Sequence, residues 1–150
     1  MGTAVGAVLF ADLSGFGAFT EACGDDAAAD VASRFTALAR ASLAPEARLL
    51  KSLGDGVLIV APDLAAARAT AECLVDLVRQ DPRLLPVRVG LCSGTVVWRD
   101  GDVFGAIVNR AARLTDAARQ WEIREEEHSG ADIGHGATLG LACGAHVTAG

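Results

Sequence analysis

The segment RLLKSLGDGVLIVA, residues 48–61, contains the clearest hairpin signal in the chain. Two apolar runs flank Asp55-Gly56, and an Asp-Gly pair between such runs is typical of a tight β-turn. The segment therefore predicts two adjacent antiparallel strands, with Asp55 in the turn that joins them.

Strand and helix patterns alternate on both sides of this hairpin. Before it, residues 4–11 (AVGAVLFA) predict an apolar strand, and apolar residues spaced by about 3.6 predict a helix over residues 26–43. After it, residues 64–80 predict a second helix and residues 86–94 (PVRVGLCSG) a fourth strand. The order β-α-β-β-α-β predicts an α+β protein with a ferredoxin-like core, also called a split βαβ arrangement.

A hairpin arm and a third helix extend this core. Residues 95–103 (TVVWRDGDV) predict an arm that turns near Asp100-Gly101, and residues 104–119 predict the helix. Beyond it lie six of the 17 glycines and all three histidines, with no sustained strand or helix period. We expect one domain over residues 1–119, and an atypical glycine-rich tail over residues 120–150 that is disordered, truncated or frame-shifted.

The composition argues against several classes of protein. A hydrophobic fraction of 51% suffices for a core, and a net charge of −6 disfavours nucleic-acid and membrane-surface binding. The four cysteines are widely spaced without a CxxC pair, and no secretion signal or apolar run of about 20 residues is present. We therefore expect a cytoplasmic domain with no nucleic-acid partner and no membrane partner.

Two carboxylates are expected to meet at one edge of the predicted sheet. In a split βαβ fold the first two strands are parallel, with the third antiparallel between them. The end of the first strand, at Asp12, then lies beside the hairpin turn that contains Asp55. Neighbouring carboxylates repel unless a cation lies between them, and oxygen ligands favour Mg²⁺ or Mn²⁺. The alternative for Asp55 is an ordinary turn residue.

The loop after the first strand is suited to bind phosphate. Small residues precede a helix start there, where backbone amides attract anions. The residues of this loop are Leu13, Ser14, Gly15, Phe16 and Gly17. The loop does not have the Walker pattern GxxxxGK[ST].

Three more polar residues are candidates for ligand binding. Lys51 lies four positions before Asp55 and is predicted to face the same side, although an exposed strand lysine is an alternative. Asn109 and Arg113 are i, i+4 neighbours on the third helix. An arginine fork suits phosphate and an asparagine amide suits a ribose, and the alternative is a solvated polar stripe.

Three segments together resemble the catalytic domain of the class III nucleotidyl cyclases. They are FADLSGF (residues 10–16), KSLGDG (51–56) and GDVFGAIVNRAAR (101–113), and the resemblance runs from about Val5 to Ala118. It implies a homodimer, because in this family one domain supplies the metal carboxylates and its partner supplies the base-reading, asparagine and arginine residues. This chain carries both sets.

The resemblance also implies a role for six residues. Asp12 and Asp55 would bind two Mg²⁺ or Mn²⁺ ions per site, Lys51 and Asp102 would read the base, Asn109 would orient the ribose, and Arg113 would stabilise the transition state. All six positions carry the residue type that the family requires, and Gly17 departs from it because a hydroxyl residue is common there.

The base can be inferred from hydrogen bonding. Adenine presents an acceptor at N1 and a donor at the 6-amino group, which match the donor of Lys51 and the acceptor of Asp102, whereas guanine presents the reverse. The expected function is an adenylate cyclase that makes 3′,5′-cyclic AMP and pyrophosphate from ATP. The alternatives are an inactive nucleotide-binding or dimerisation module and, disfavoured by these two residues, a guanylate cyclase.

The tail contains a further group of metal-ligating residue types. His128, His135, Cys143 and His146 match no zinc-site spacing, and we expect disorder there rather than a metal site.

Overall fold

The computed structural model describes residues 2–127 and the backbone of residues 146–149. Four helices pack against a seven-stranded sheet in this part of the chain. In chain order the elements are β1 (Gly2–Leu13), α1 (Phe16–Cys23), α2 (Asp25–Ala41), β2 (Arg48–Ser52), β3 (Gly56–Ala61), α3 (Leu64–Arg79), β4 (Val87–Arg99), β5 (Asp102–Phe104), α4 (Ala106–Ala117), β6 (Glu122–Glu127) and β7 (His146–Ala149).

The sheet has the predicted split βαβ topology at its centre. Its strand order is β2-β3-β1-β4-β6-β7, and β5 pairs with β4 outside this path. Strand β3 is antiparallel to both β1 and β2, so β1 and β2 are parallel to each other, as predicted. Strand β6 joins β4 in the parallel direction and β7 pairs antiparallel to β6. The α+β fold class is confirmed.

The side chains of β1 alternate between two apolar layers. Leu9 packs with Phe35 of α2 and Leu74 of α3 on one face of the sheet. Val8 packs with Ile107 of α4 on the other face. Because both faces of β1 are buried, its sequence is a continuous apolar run that gives little sign of alternation.

A close approach between α4 and β4 depends on Gly90. A Cβ atom at this position would lie 2.5 Å from the carbonyl oxygen of Ala111. The hydroxyl of Thr115 lies within hydrogen-bond distance of two carbonyl oxygens, that of Ala111 in the helix at 2.9 Å and that of Phe10 on β1 at 3.1 Å. The helix that carries Asn109 and Arg113 is thus seated directly on the sheet backbone.

The predicted helix over residues 26–43 is preceded by a separate short helix. Helix α1 ends at Cys23, and Gly24 adopts a φ of 91°, which L-residues with a side chain rarely adopt. Helix α2 then starts at Asp25 and buries Val31, Phe35 and Ala39 against the sheet.

The predicted fourth strand and the first half of the hairpin arm are one strand. Strand β4 runs without interruption from Val87 to Arg99, and the chain turns at Asp100-Gly101, as predicted, into β5. Both turn residues have positive φ, at 53° and 75°. Helix α4 starts at Ala106 rather than near Phe104, which belongs to β5.

The expectation that no strand follows the third helix is wrong for residues 122–127 and for residues 146–149. The segment EIREEE forms β6 and pairs with β4, so the sheet continues past the predicted boundary at residue 119. One apolar residue among five charged residues gives no strand period, and charged residues are depleted in strands. Residues 128–145 of the predicted tail lie outside the described part of the chain, and the rest of the domain division stays a prediction.

Within the described residues, none of the helices combines the length and the apolar character that a membrane span requires.

Substitution of Gly90 tests the seating of α4. We expect Gly90→Ala to lower the free energy of unfolding by about 2–3 kcal/mol, because the added methyl group must displace backbone. Gly17→Ala is the matched control, since a Cβ at Gly17 in α1 meets no atom within 4 Å. Its helical position predicts a gain of roughly 0.5–1 kcal/mol. Urea unfolding of both variants measures the difference, and an unchanged stability of Gly90→Ala would contradict this packing.

Candidate active site

The structure brings Asp12 and Asp55 to the same edge of the sheet, as the topology predicts. Asp12 on β1 lies opposite Gly56 on β3, and the amide of Leu13 donates to the carbonyl oxygen of Asp55 at 3.0 Å. Both aspartates line a cavity of about 200 Å³ together with Asp116 at the end of α4. Three acidic residues therefore surround one small open space.

Arg88 is a member of this site that the sequence analysis missed. It lies opposite Asp12 on the neighbouring strand β4. Its Nε and Nη2 atoms donate to the two oxygens of the Asp12 carboxylate, each at 3.0 Å. Its Nη1 atom donates to the carbonyl oxygen of Asp116 at 3.3 Å. A basic residue in the strand segment VRVG was the available signal, but only the register of β1 on β4 reveals its partner.

The electrostatic state of Asp12 reflects the crowding of negative charge. Burial raises the pKa of the Asp12 carboxyl, and the negative charges of Asp55 and Asp116 raise it further. The guanidinium of Arg88 opposes this shift without cancelling it. One cation faces several acidic groups here, so additional positive charge would stabilise the ionised carboxylate.

These residues fit a divalent cation of the magnesium type. Carboxylate oxygens are the ligands that Mg²⁺ and Mn²⁺ prefer, and Mg²⁺ sites commonly use one or two carboxylates together with substrate phosphates and water. Among residues 2–127, no three His, Cys, Asp or Glu side chains are grouped as a complete metal site. Asp12 and Asp55 could therefore hold such ions only with further oxygen ligands from a substrate or from water.

Two backbone amides of the predicted phosphate-binding loop already donate to acceptors within the chain. The amide of Leu13 is used by Asp55, and the amide of Ser14 donates to the carbonyl oxygen of Pro86 at 2.7 Å. These two amides are therefore not available to a phosphate, contrary to the sequence expectation. Phe16 and Gly17 lie in the first turn of α1, where backbone amides have no acceptor within the helix.

Lys51 and Asp102 lie together, although they are 51 positions apart in the sequence. The Lys51 ammonium donates to both oxygens of the Asp102 carboxylate, at 3.1 and 3.2 Å, and each side chain is about 40% exposed. The amide of Val103 donates to the same carboxylate and, with Lys51, lowers the pKa of Asp102. A donor and an acceptor are thus presented side by side at the surface.

The predicted alignment of Lys51 with Asp55 on one strand is wrong. Strand β2 has an irregularity between Leu49 and Lys51 and ends at Ser52. Asp55 belongs to the turn, so the strand alternation does not extend to it.

Asn109 and Arg113 lie on the exposed side of α4. The buried side of this helix carries Ile107, Ala111 and Thr115, and helical geometry directs positions 109 and 113 away from it. The cavity that contains Asp12 is lined from α4 by other residues, namely Ala112, Thr115 and Asp116. A single chain therefore does not bring Asn109 and Arg113 into the carboxylate cavity.

The remaining candidates give no site in the described region. His128, His135 and Cys143 lie outside the described residues, and His146 is described by its backbone alone. Cys92 is buried in the α4 side of the core, whereas Cys23 and Cys73 are exposed.

Removal of the arginine tests the balance of charge at Asp12. We expect Arg88→Met to raise the pKa of Asp12 further, because the loss of the cation leaves burial and the charges of Asp55 and Asp116 unopposed. Carboxyl-carbon NMR titration measures this pKa in the metal-free protein. Arg83→Met, at an exposed arginine that pairs with Asp81 instead, is the control and should leave the Asp12 titration unchanged. A lower Asp12 pKa in Arg88→Met would contradict the assigned electrostatics.

Comparison with known proteins identifies relatives of this arrangement. No protein-family model matches the chain. The sequence is 40% identical over 112 residues to the pH-sensitive adenylate cyclase of Mycobacterium tuberculosis (strain CDC 1551 / Oshkosh), a match that covers 75% of this chain and 28% of that protein. It is 42% identical over 113 residues to the adenylate cyclase of Streptomyces coelicolor, covering 75% and 30%. The chain thus spans less than a third of the length of these curated relatives.

The fold has a counterpart among solved structures. The guanylyl cyclase domain of the RhoGC fusion protein from the aquatic fungus Blastocladiella emersonii superposes with a TM-score of 0.76 at 18% identity, covering 83% of this chain and 82% of that domain. By sequence similarity and by fold, the chain belongs to the class III nucleotidyl cyclase family.

Proposed function

We propose that this chain is an adenylate cyclase domain that converts ATP to 3′,5′-cyclic AMP and pyrophosphate. The observation that carries the proposal is the placement of Asp12 and Asp55 on one cavity at the end of β1, beside a helix that presents Asn109 and Arg113. Two relatives that are 40% and 42% identical to this chain are named adenylate cyclases, which supports the same chemistry here.

The reaction is an internal phosphoryl transfer. The ribose 3′-oxygen attacks the α-phosphorus of ATP, the bond from the α-phosphorus to the bridging oxygen breaks, and pyrophosphate leaves with that electron pair. The proton of the 3′-hydroxyl passes to solvent. Two Mg²⁺ or Mn²⁺ ions, held by Asp12 and Asp55, would lower the pKa of the 3′-hydroxyl and neutralise the polyphosphate.

The chain's own residues position the substrate. Arg113 meets the charge that develops on the α-phosphate oxygens, and the Asn109 amide orients the ribose so that its 3′-oxygen faces the phosphorus. The first-turn amides of α1, at Phe16 and Gly17, contribute hydrogen bonds to the phosphates.

Lys51 and Asp102 select the base. Their ion pair presents a donor beside an acceptor, the arrangement that complements N1 and the 6-amino group of adenine. Guanine would leave both groups mismatched, at a cost of about 1–3 kcal/mol for each polar group.

The active form in this proposal is a homodimer. One chain holds the carboxylates in a cavity, and its Asn109 and Arg113 face away from that cavity. A symmetric pair of chains would let each α4 serve the carboxylates of its partner and would produce two equivalent sites.

One observation favours an inactive nucleotide-binding or dimerisation module instead. Arg88 occupies both oxygens of Asp12, so a metal ion must compete with a bidentate ion pair for this ligand. Nucleotide could still bind through Lys51, Asp102 and the α1 amides without turnover.

A direct assay of product distinguishes these functions. With Mn²⁺ we expect the purified chain to make cyclic AMP from ATP and to use GTP roughly 30-fold less efficiently or worse, from two mismatched groups. Asp12→Ala should abolish product. A folded chain that binds ATP and makes no cyclic nucleotide would support the module, and preferred use of GTP would refute the role of Lys51 and Asp102.

Mixing two inactive variants tests the shared site. Asp12→Ala and Arg113→Ala should each be inactive, whereas their mixture should recover about a quarter of the wild-type activity, since half of the dimers are mixed and each has one intact site. Mixing Asp12→Ala with Asp55→Ala is the matched control and should recover nothing, because both lesions fall in the carboxylate half. Equal results from the two mixtures would refute the shared site.

A further inference from the structure

Strand β6 carries two glutamates into nearly buried positions. Glu125 and Glu126 are each 7% exposed. Glu125 accepts hydrogen bonds from Nε and Nη2 of Arg68 on α3, at 2.8 and 2.6 Å. Glu126 accepts from Nε and Nη2 of Arg110 on α4, the shortest distance being 2.6 Å. Each glutamate therefore joins β6 to a different helix.

The two ion pairs are closely matched in the exposure of their side chains. The arginine side chains are 41% and 38% exposed and the glutamate side chains are each 9% exposed. Because Glu125 and Glu126 are consecutive on a strand, they point to opposite faces of the sheet. One pair thus fastens β6 to α3 on one face, and the other fastens it to α4 on the opposite face.

The two helices differ in what they carry. Helix α4 presents Asn109 and Arg113, whereas α3 presents none of the six residues assigned to the reaction. Arg110 directly follows Asn109 and precedes Arg113 by three positions, so a restraint on its side chain acts within the same two turns.

The other contacts of α4 act along the side of the helix that faces the sheet. Ile107 near its start is 1% exposed in the core, and the Thr115 hydroxyl near its end lies 3.1 Å from the carbonyl oxygen of Phe10. The contact of Ala111 with the sheet at Gly90 limits the distance of the helix from the sheet. A charged anchor at Arg110, on the flank of the helix, opposes rotation about the helix axis.

We propose that Arg110 and Glu126 are positioning residues that set the rotation of α4 and thereby aim Asn109 and Arg113 at the substrate. The pair of Arg68 with Glu125 stabilises β6 in the same way without affecting the direction of Asn109 and Arg113. This inference rests on the proposed cyclase function, because it assigns the aim of two residues of that site.

The experiment compares the same substitution at consecutive positions. Glu126→Gln and Glu125→Gln each remove one charge and keep the size of the side chain, and Arg110→Met and Arg68→Met remove the partners. In urea unfolding we expect the two glutamine variants to lose similar free energies of unfolding. We expect the same of the two methionine variants. Only Glu126→Gln and Arg110→Met should lower kcat, by about 10-fold or more, with the KM for ATP changed less than about 3-fold. The reason is that displaced Asn109 and Arg113 side chains would stabilise the transition state less, while the binding of ATP would change little.

Arg110→Lys completes this series. It keeps the charge but loses the bidentate geometry, and we expect a kcat between those of the wild type and Arg110→Met. Equal losses of kcat in the α3 and α4 variants, measured where all are fully folded, would overturn the proposal. So would an unchanged kcat in Arg110→Met.

Hydrogen exchange separates this inference from the proposed function. Glu126→Gln should accelerate amide exchange in residues 106–117 of α4 and leave residues 64–79 of α3 unchanged, and Glu125→Gln should do the reverse. If the wild type makes no cyclic nucleotide, the proposed function fails, while this exchange pattern still supports the restraint on α4. Faster exchange in both helices, or in neither, refutes the restraint itself.

Discussion

The register of β1 between its two neighbours is the constraint on which the rest of the structure depends. Asp12 lies opposite Gly56 of β3 on one side and opposite Arg88 of β4 on the other. A shift by one residue would turn every β1 side chain to the opposite face and would move Asp12 away from both partners. Such a shift would also exchange the side chains that fill the two apolar layers, in which Leu9 and Val8 are fully buried on opposite faces. The packing of the core and the geometry of the carboxylate cavity are therefore set together.

Three arginine–carboxylate pairs join elements of the fold at carboxylates that are partly or largely buried. Arg88 joins two strands at the carboxylate cavity, and Arg68 and Arg110 join helices to β6. A partly buried carboxylate without its cation is destabilising, so each of these pairs also selects one arrangement of the elements that it joins. The same property makes Arg88 a competitor for any cation that approaches Asp12. Fold stability and the proposed metal binding would therefore depend on the same carboxylate.

Much of the site could be predicted because it lies where patterned elements end. The Asp-Gly hairpin placed Asp55 beside the end of β1, and topology alone brought Asp12 to it. The family resemblance assigned Lys51 and Asp102 to the same base, and the structure places their side chains in an ion pair, while base reading itself stays a prediction. The amides of Leu13 and Ser14 show the limit of this reasoning, since a loop that looks open in the sequence is closed by hydrogen bonds to Asp55 and Pro86. Such bonds depend on neighbouring strands that the loop sequence does not encode.

The amino-acid sequence by itself determined the order of the central elements, the hairpin at Asp55-Gly56 and the family, because these depend on local periodicity and on short segments. Only the tertiary structure decided the partner of Asp12, the outward direction of Asn109 and Arg113, and the existence of β6. Strand β6 is the clearest case, since the segment EIREEE has no strand period, while Glu125 and Glu126 in it pair with Arg68 and Arg110 on two helices. Those arginines lie 57 and 16 positions away along the chain, and contacts at such separations arise from the packing of helices on the sheet and not from local sequence.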